Sequence, residues 1–209
     1  MDGAEQTDSG WRGSPELWLD AAYETLIEQG IDAVKIQPLG TRLRLSRTSF
    51  YWFFKDRAAL LAALADRWES RTTKPLVAAC GAYAATEAEA ILNVIGCFLS
   101  DRTFDSRFEF AVRGWALRDR AILDRLHAAD NLRLSALRAL LERWYHDPMD
   151  ADVRARTIYM VQIGYISMQT RENLETRLER VPSYVETYCG QRPSDAEMAR
   201  IRARLQALT

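Results

Sequence analysis

Ser46-Arg47-Thr48-Ser49-Phe50-Tyr51-Trp52-Phe53-Phe54, followed at once by Lys55-Asp56-Arg57, is the stretch that decides the reading of this 209-residue chain. Hydroxyls, a cation and a run of aromatics fall on one short predicted helix. At helical spacing, residues 46, 50, 53 and 54 share one face, while 47, 48, 51, 52 and 55 lie largely on the other. Phe50, Phe53 and Phe54 are therefore expected to anchor the helix in a core. Tyr51 and Trp52 are left facing outward, because the inner face is already filled. Ser46, Thr48 and Ser49 are small donors that let a backbone approach closely. Arg47 can reach a guanine edge or a phosphate, and the Tyr51 hydroxyl and Trp52 indole N–H add two more donors. The start of a helix also presents unpaired amides and a positive dipole end, which suit phosphate.

The surrounding charge agrees. From Ala33 to Arg57 the bases are Lys35, Arg42, Arg44, Arg47, Lys55 and Arg57 and the one acid is Asp56, a local balance of +5 in a chain whose net charge is −1. A patch of that sign is the footprint of a nucleic-acid-binding element, although a solvated charged face has the same composition.

Outward from this stretch the chain reads as all-α, with apolar residues mostly at helical spacing. Ser14 caps a first helix, Pro15 takes its first position and Gly30 its stop. Leu19, Ala22, Tyr23, Leu26 and Ile27 form its apolar stripe. A short helix is expected over 36–42, with Pro38 tolerated in its first turn. After a break at residues 43–45, Ser46 caps the third helix and Asp56 the fourth. The fourth buries Leu60, Leu61, Leu64 and Trp68 and is expected to end before Pro75. Later helices are expected over 86–100, 107–118, 119–127, 129–145, 150–171, 173–189 and 194–207, with Ser194 and Glu197 at capping-box spacing. The organisation expected is a flexible lead over 1–13, a helix-turn-helix DNA-binding domain over 14–74 and a helical effector-binding and dimerisation domain over 75–209.

Trp18 to about Trp68 resembles the DNA-binding domain of TetR-type (tetracycline-repressor-like) bacterial transcriptional regulators. The matching features are Ala21-Ala22, Leu26, Gly30, Leu39, the Ser46–Phe54 segment and Lys55-Asp56-Arg57-Ala58-Ala59-Leu60-Leu61. The resemblance implies that Arg47, Thr48, Tyr51 and Trp52 occupy recognition-helix contact positions. It implies phosphate contacts for Arg57, opening the fourth helix, and for Lys35, near the start of the second. Two departures stand out. Arg44 replaces the family's turn glycine, where a left-handed residue costs on the order of 1 kcal/mol, and Gly40 replaces an alanine. Arg44 is expected to add a backbone contact.

Such regulators usually add a helical domain that dimerises and holds an effector. Residues 150–171 are apolar on more than one face and need cover on several sides. Ile158, Val161, Gly164, Tyr165 and Met168 are the expected two-fold interface, with burial inside one chain as the alternative. Phe108, Val112, Arg113, Trp115, Trp144, Gln162 and Tyr165 are the expected lining of a mostly apolar pocket for an unknown small-molecule effector. Aromatics at this spacing, here including Phe104, Phe110 and Tyr145, serve equally well as plain core.

Catalytic signatures are missing. His127 and His146 form no HExxH motif, and no Gly-rich phosphate loop or GxSxG elbow occurs. Neither cofactor nor metal is expected. Cys80, Cys97 and Cys189 have no zinc or CxxC spacing and suit reduced thiols in a cytoplasmic protein. No apolar run approaches the ~20 residues of a membrane span. The function expected is a DNA-binding transcriptional regulator, ligand-responsive, a repressor, acting as a homodimer on a pseudo-palindromic operator. The alternative is a helical interaction protein that keeps the motif as scaffold.

Overall fold

The computed structural model describes residues 13–144, 147–170 and 172–208. Tyr145 and His146 lie outside the described residues. Among those described, the chain is entirely helical: α1 Pro15–Gln29, a 3-10 turn Ile31–Ala33, α2 Ile36–Leu43, α3 Arg47–Tyr51, α4 Arg57–Gly81, α5 Glu87–Phe98, α6 Ser106–Ala116, α7 Arg120–Glu142, α8 Pro148–Ser167, α9 Leu174–Cys189 and α10 Asp195–Gln206. None of these helices is long and apolar enough to cross a membrane.

The caps form as the residues dictate. Ser14 Oγ accepts the Leu17 amide, Ser46 Oγ the Ser49 amide and Asp56 the Ala59 amide. Ser194 and Glu197 make a reciprocal capping box on α10. Each satisfies an amide that the helix start would otherwise leave unpaired.

Two compact units divide between Leu64 and Ala65, ten residues before the expected boundary at 74/75. Pro75, where α4 was expected to stop, lies inside the helix and does not end it. A proline in a helix frees the carbonyl four residues back. Here that carbonyl, of Arg71, accepts the Asp105 amide at 3.2 Å. The helix therefore passes its proline with the orphan acceptor satisfied. A second difference is α7, which runs unbroken through 127–129 where a break was expected. His127-Ala128-Ala129 contains no residue that ends a helix.

The first unit packs α1, α2, α3 and the opening of α4 around Trp18, Leu26, Leu39, Phe50, Leu60 and Leu64, all essentially without exposed surface. In the second unit a continuous core joins Leu76, the inner face of α5, Leu137, Leu140 and Leu141 of α7, Ile158 and Tyr159 of α8, and Val181, Val185 and Tyr188 of α9. At Gly96 an added Cβ would fall 2.4 Å from Ile201 Cδ1, so α5 and α10 touch closely and any larger residue would push the Ile201 side chain aside. Cys80, Cys97 and Cys189 are buried and reduced. Burial pushes the Cys80 and Cys97 thiols up to about 12, which leaves them unreactive.

Candidate nucleic-acid interface

The split of the Ser46–Phe54 segment is resolved by packing. Phe50 is fully buried, edge-on to Trp18 at 5.2 Å and stacked on Phe54 at 5.5 Å. Phe53 is half-buried. Tyr51 and Trp52 are 48% and 62% exposed on the other side. Arg47 donates to the Tyr51 hydroxyl at 3.3 Å, so the two side chains lie along one another on the outer face of α3. Lys35, Arg44, Ser46, Thr48 and Lys55 are exposed as well.

Two of the expected contact residues sit differently. Ser49 is buried, with 6% exposure, because position 49 turns toward α2 and the core. Arg57 is half-buried. Its Nε donates to the Val34 carbonyl at 2.6 Å and its Nη2 to the Ile31 carbonyl at 3.1 Å. That guanidinium ties the 3-10 turn after α1 to the start of α4.

The turn between α2 and α3 keeps its usual geometry despite its unusual residue. Arg44 is left-handed, at φ 56° and ψ 37°. Its amide bonds Thr41 O at 3.2 Å, and the next amide, of Leu45, reaches back to Gly40 O at 2.9 Å. This is the paired bonding of a Schellman stop, with arginine where glycine is favoured. Gly40 has a matching cause. A Cβ there would lie 2.9 Å from the Leu45 carbonyl oxygen and 3.5 Å from the Trp18 ring. The turn folds so tightly onto α2 that alanine would not fit without a shift.

The expected pocket residues take several positions. Phe108, Val112 and Trp115 are core side chains, and Gln162 is buried. Tyr165 is half-buried and pairs with Tyr184, its hydroxyl 2.9 Å from that of its partner. An open cleft of about 370 Å³ lies at Gly81, Ala82, Tyr83, Ala84, Arg143 and Trp144, and takes in only Trp144 of the expected set. Arg113 is committed to Glu109 at 2.9 Å and to Asp130 at 2.6 Å. Behind it stands a group that the sequence reading missed. Arg133, wholly buried, bonds Glu109, Thr72, Thr73 and Tyr159. The signals present were Glu109/Arg113 and Asp130/Arg133, oppositely charged pairs at helical spacing on otherwise apolar faces.

The expected interface residues divide too. Ile158 is fully buried in its own chain, Val161, Gly164 and Tyr165 are half-buried, and Met168 is exposed. The outward stripe of α8 is Val153, Thr157, Met160, Gly164 and Met168, where an added Cβ at Gly164 meets nothing within 4 Å.

Residues 19–64 match the model of the bacterial regulatory proteins of the tetR family. A tetR-family transcriptional regulator from Mesorhizobium loti MAFF303099 is similar in structure with a TM-score of 0.65 at 12% identity, over 84% of this chain and 95% of that one. A transcriptional regulator from Aquifex aeolicus VF5 gives 0.60 at 15% identity, over 94% and 100%. The fatty acid degradation regulator FadR from Bacillus halodurans gives 0.57 at 14% identity, over 96% and 95%. Among curated proteins none matches in sequence. The chain has the fold of a TetR-family transcriptional regulator, with the family's helix-turn-helix segment in its first unit.

Proposed function

We propose that this chain is a ligand-responsive repressor that binds a pseudo-palindromic DNA operator as a homodimer. The observation that carries the reading is the two-sided α3. Its inner side is locked by Phe50 against Trp18, while Arg47, Thr48, Tyr51 and Trp52 face away. Arg47 is the base-reading candidate, since a guanidinium fork matches the guanine major-groove edge. Lys35, Arg44, Ser46 and Lys55 are the phosphate-positioning candidates around it. Two copies would set their recognition helices in successive major grooves, about 34–36 Å or a multiple apart. The stripe of Val153, Met160 and Met168 supports α8 as the dimer face, because exposed apolar side chains in a row call for cover. An effector would need to favour one dimer arrangement by only about 1–3 kcal/mol to change occupancy.

Band-shift titration against the DNA flanking the gene tests this. A salt-sensitive shift lost in Arg47→Ala is expected. No shift of any flanking fragment at low salt sinks the proposal.

A further inference from the structure

Arg47 and Tyr51 stand four residues apart on α3, so their side chains meet on the same outer side. Arg47 Nη2 donates to the Tyr51 hydroxyl at 3.3 Å. The Tyr51 ring is itself braced. It meets the Phe50 ring edge-on, with centroids 5.4 Å apart and planes at 84°. Phe50 is fixed in turn between Trp18 and Phe54. A line of contacts thus runs from the core of the first unit, ring by ring, to the guanidinium of an exposed side chain.

Two other arginines of this N-terminal head are held differently. Arg42 is paired with Glu28 at 3.0 Å. Arg57 gives its guanidinium to two backbone carbonyls within the unit. Arg47 bonds a hydroxyl, which orients the guanidinium without cancelling its charge. The bond uses one of the two protons on Nη2. Whichever it takes, the other stays beside an N–H of Nη1 or of Nε, so one two-pronged edge remains open.

An open fork that keeps its orientation has a particular use on DNA. Guanine presents O6 and N7 together in the major groove, two acceptors that a fork takes at once. Adenine presents N7 beside the N6 amino group, so one prong meets a donor. An unheld arginine escapes that mismatch by swinging to a phosphate, a contact that carries no sequence information. Holding the side chain also spares part of the rotamer freedom that docking would otherwise remove.

We infer that Tyr51 is a positioning residue for sequence recognition: its hydroxyl holds the Arg47 guanidinium, so that the fork discriminates guanine from adenine at one base pair of each half-site. Tyr51 then sets the specificity of the operator reading above, on which this role rests. It acts through Arg47 and not as one more phosphate donor.

The test uses the flanking DNA fragment that the natural chain shifts, narrowed to the segment it protects from nuclease. Duplexes with each G·C pair of that segment replaced by A·T are titrated beside it. For the natural chain, one such replacement in each half-site should weaken binding by about five-fold to about a hundred-fold. Arg47→Lys keeps a charge and loses the fork, and should lose most of that penalty. Tyr51→Phe keeps the ring and its contact with Phe50, and should reduce the penalty at the same pair by about two-fold or more, with no change in Tm. Combined with Arg47→Lys, Tyr51→Phe should change the penalty no further, because there is no fork left to hold. A loss in Tyr51→Phe that is equal for every duplex overturns the role and makes Tyr51 a phosphate donor. An equal effect of Tyr51→Phe with and without Arg47→Lys overturns it too, as does a segment in which no G·C pair depends on Arg47. Each of these results leaves the DNA shift in place and removes only this role. Absence of any shift removes the operator reading and this role with it.

Discussion

Arg133 and Glu109 face each other as a two-pronged ion pair with no exposed surface on either side chain: Nη1 to Oε1 at 2.8 Å and Nη2 to Oε2 at 3.0 Å. Each prong is reinforced. Trp68 Nε1 donates to Glu109 Oε2 at 2.7 Å, and Thr72 and Thr73 of α4 accept from Arg133 at 2.9 and 3.0 Å. Tyr159 accepts from Arg133 at 2.9 Å and donates to Asp130 at 2.5 Å. Four helices, α4, α6, α7 and α8, therefore meet at one satisfied polar knot. Removing one partner strands the other charge in the interior. Glu109→Gln or Arg133→Met alone should cost about 3–5 kcal/mol in urea unfolding. The double variant should recover part of that loss, because it removes both charges together. A single-variant loss below about 1 kcal/mol would show that the knot is solvated.

The same pair predicts a pH dependence. Burial opposes the charge of Glu109, but Arg133 and Arg113, with the Trp68 N–H, outweigh it and hold the carboxyl below its usual range. A carboxylate depressed in the folded state contributes stability above its unfolded pKa, about 4.3, and loses it as pH falls through the folded value. The stability gap between the natural chain and Glu109→Gln should thus be full at pH 7 and shrink steadily below about pH 4. Urea midpoints at several pH values report it, and a gap that widens with acid contradicts the sign.

Arg44 separates stability from recognition. Its left-handed conformation costs on the order of 1 kcal/mol relative to glycine, part of which is offset by glycine's greater unfolded-state entropy. Arg44→Gly should leave the unfolding free energy unchanged or raise it by up to about 1 kcal/mol. DNA affinity should fall, since an exposed cation of the turn is lost. Gly40→Ala should do the reverse of stabilise, forcing the Leu45 carbonyl off α2 and lowering Tm. A thermal melt on each settles both signs.

Local chemistry was legible wherever a residue acts on its own neighbours. Ser14, Ser46, Asp56 and Ser194 announce helix starts because capping is a contact over three residues, and Phe50 against Tyr51 follows from helical period alone. What escaped depends on partners far along the chain. Pro75 looks like a stop until the Asp105 amide takes the carbonyl it frees. Arg57 gives no local sign that its guanidinium bonds the Val34 and Ile31 carbonyls. Arg133 gives no local sign of burial, yet Glu109 and the two threonines close around it. Each was resolved by a hydrogen bond spanning more than twenty residues, which no local pattern encodes.

Lys55 and Arg57 give the sharpest division of labour in the head. Lys55 is exposed, whereas Arg57 already donates to two backbone carbonyls within the unit. A cation that neutralises a phosphate releases counterions, and each such contact contributes about 0.9 to the slope of log affinity against log salt. Lys55→Ala should lower that slope by about 1 and leave Tm unchanged. Arg57→Ala strands the Ile31 and Val34 carbonyls and should cost about 1.5–3 kcal/mol of stability, as charge-assisted bonds do. At temperatures where the variant stays folded its salt slope should match that of the natural chain. Band shifts at four salt concentrations, paired with melts, read both quantities. An Arg57→Ala protein with normal Tm and a reduced slope would instead make Arg57 a phosphate contact, and its carbonyl bonds incidental.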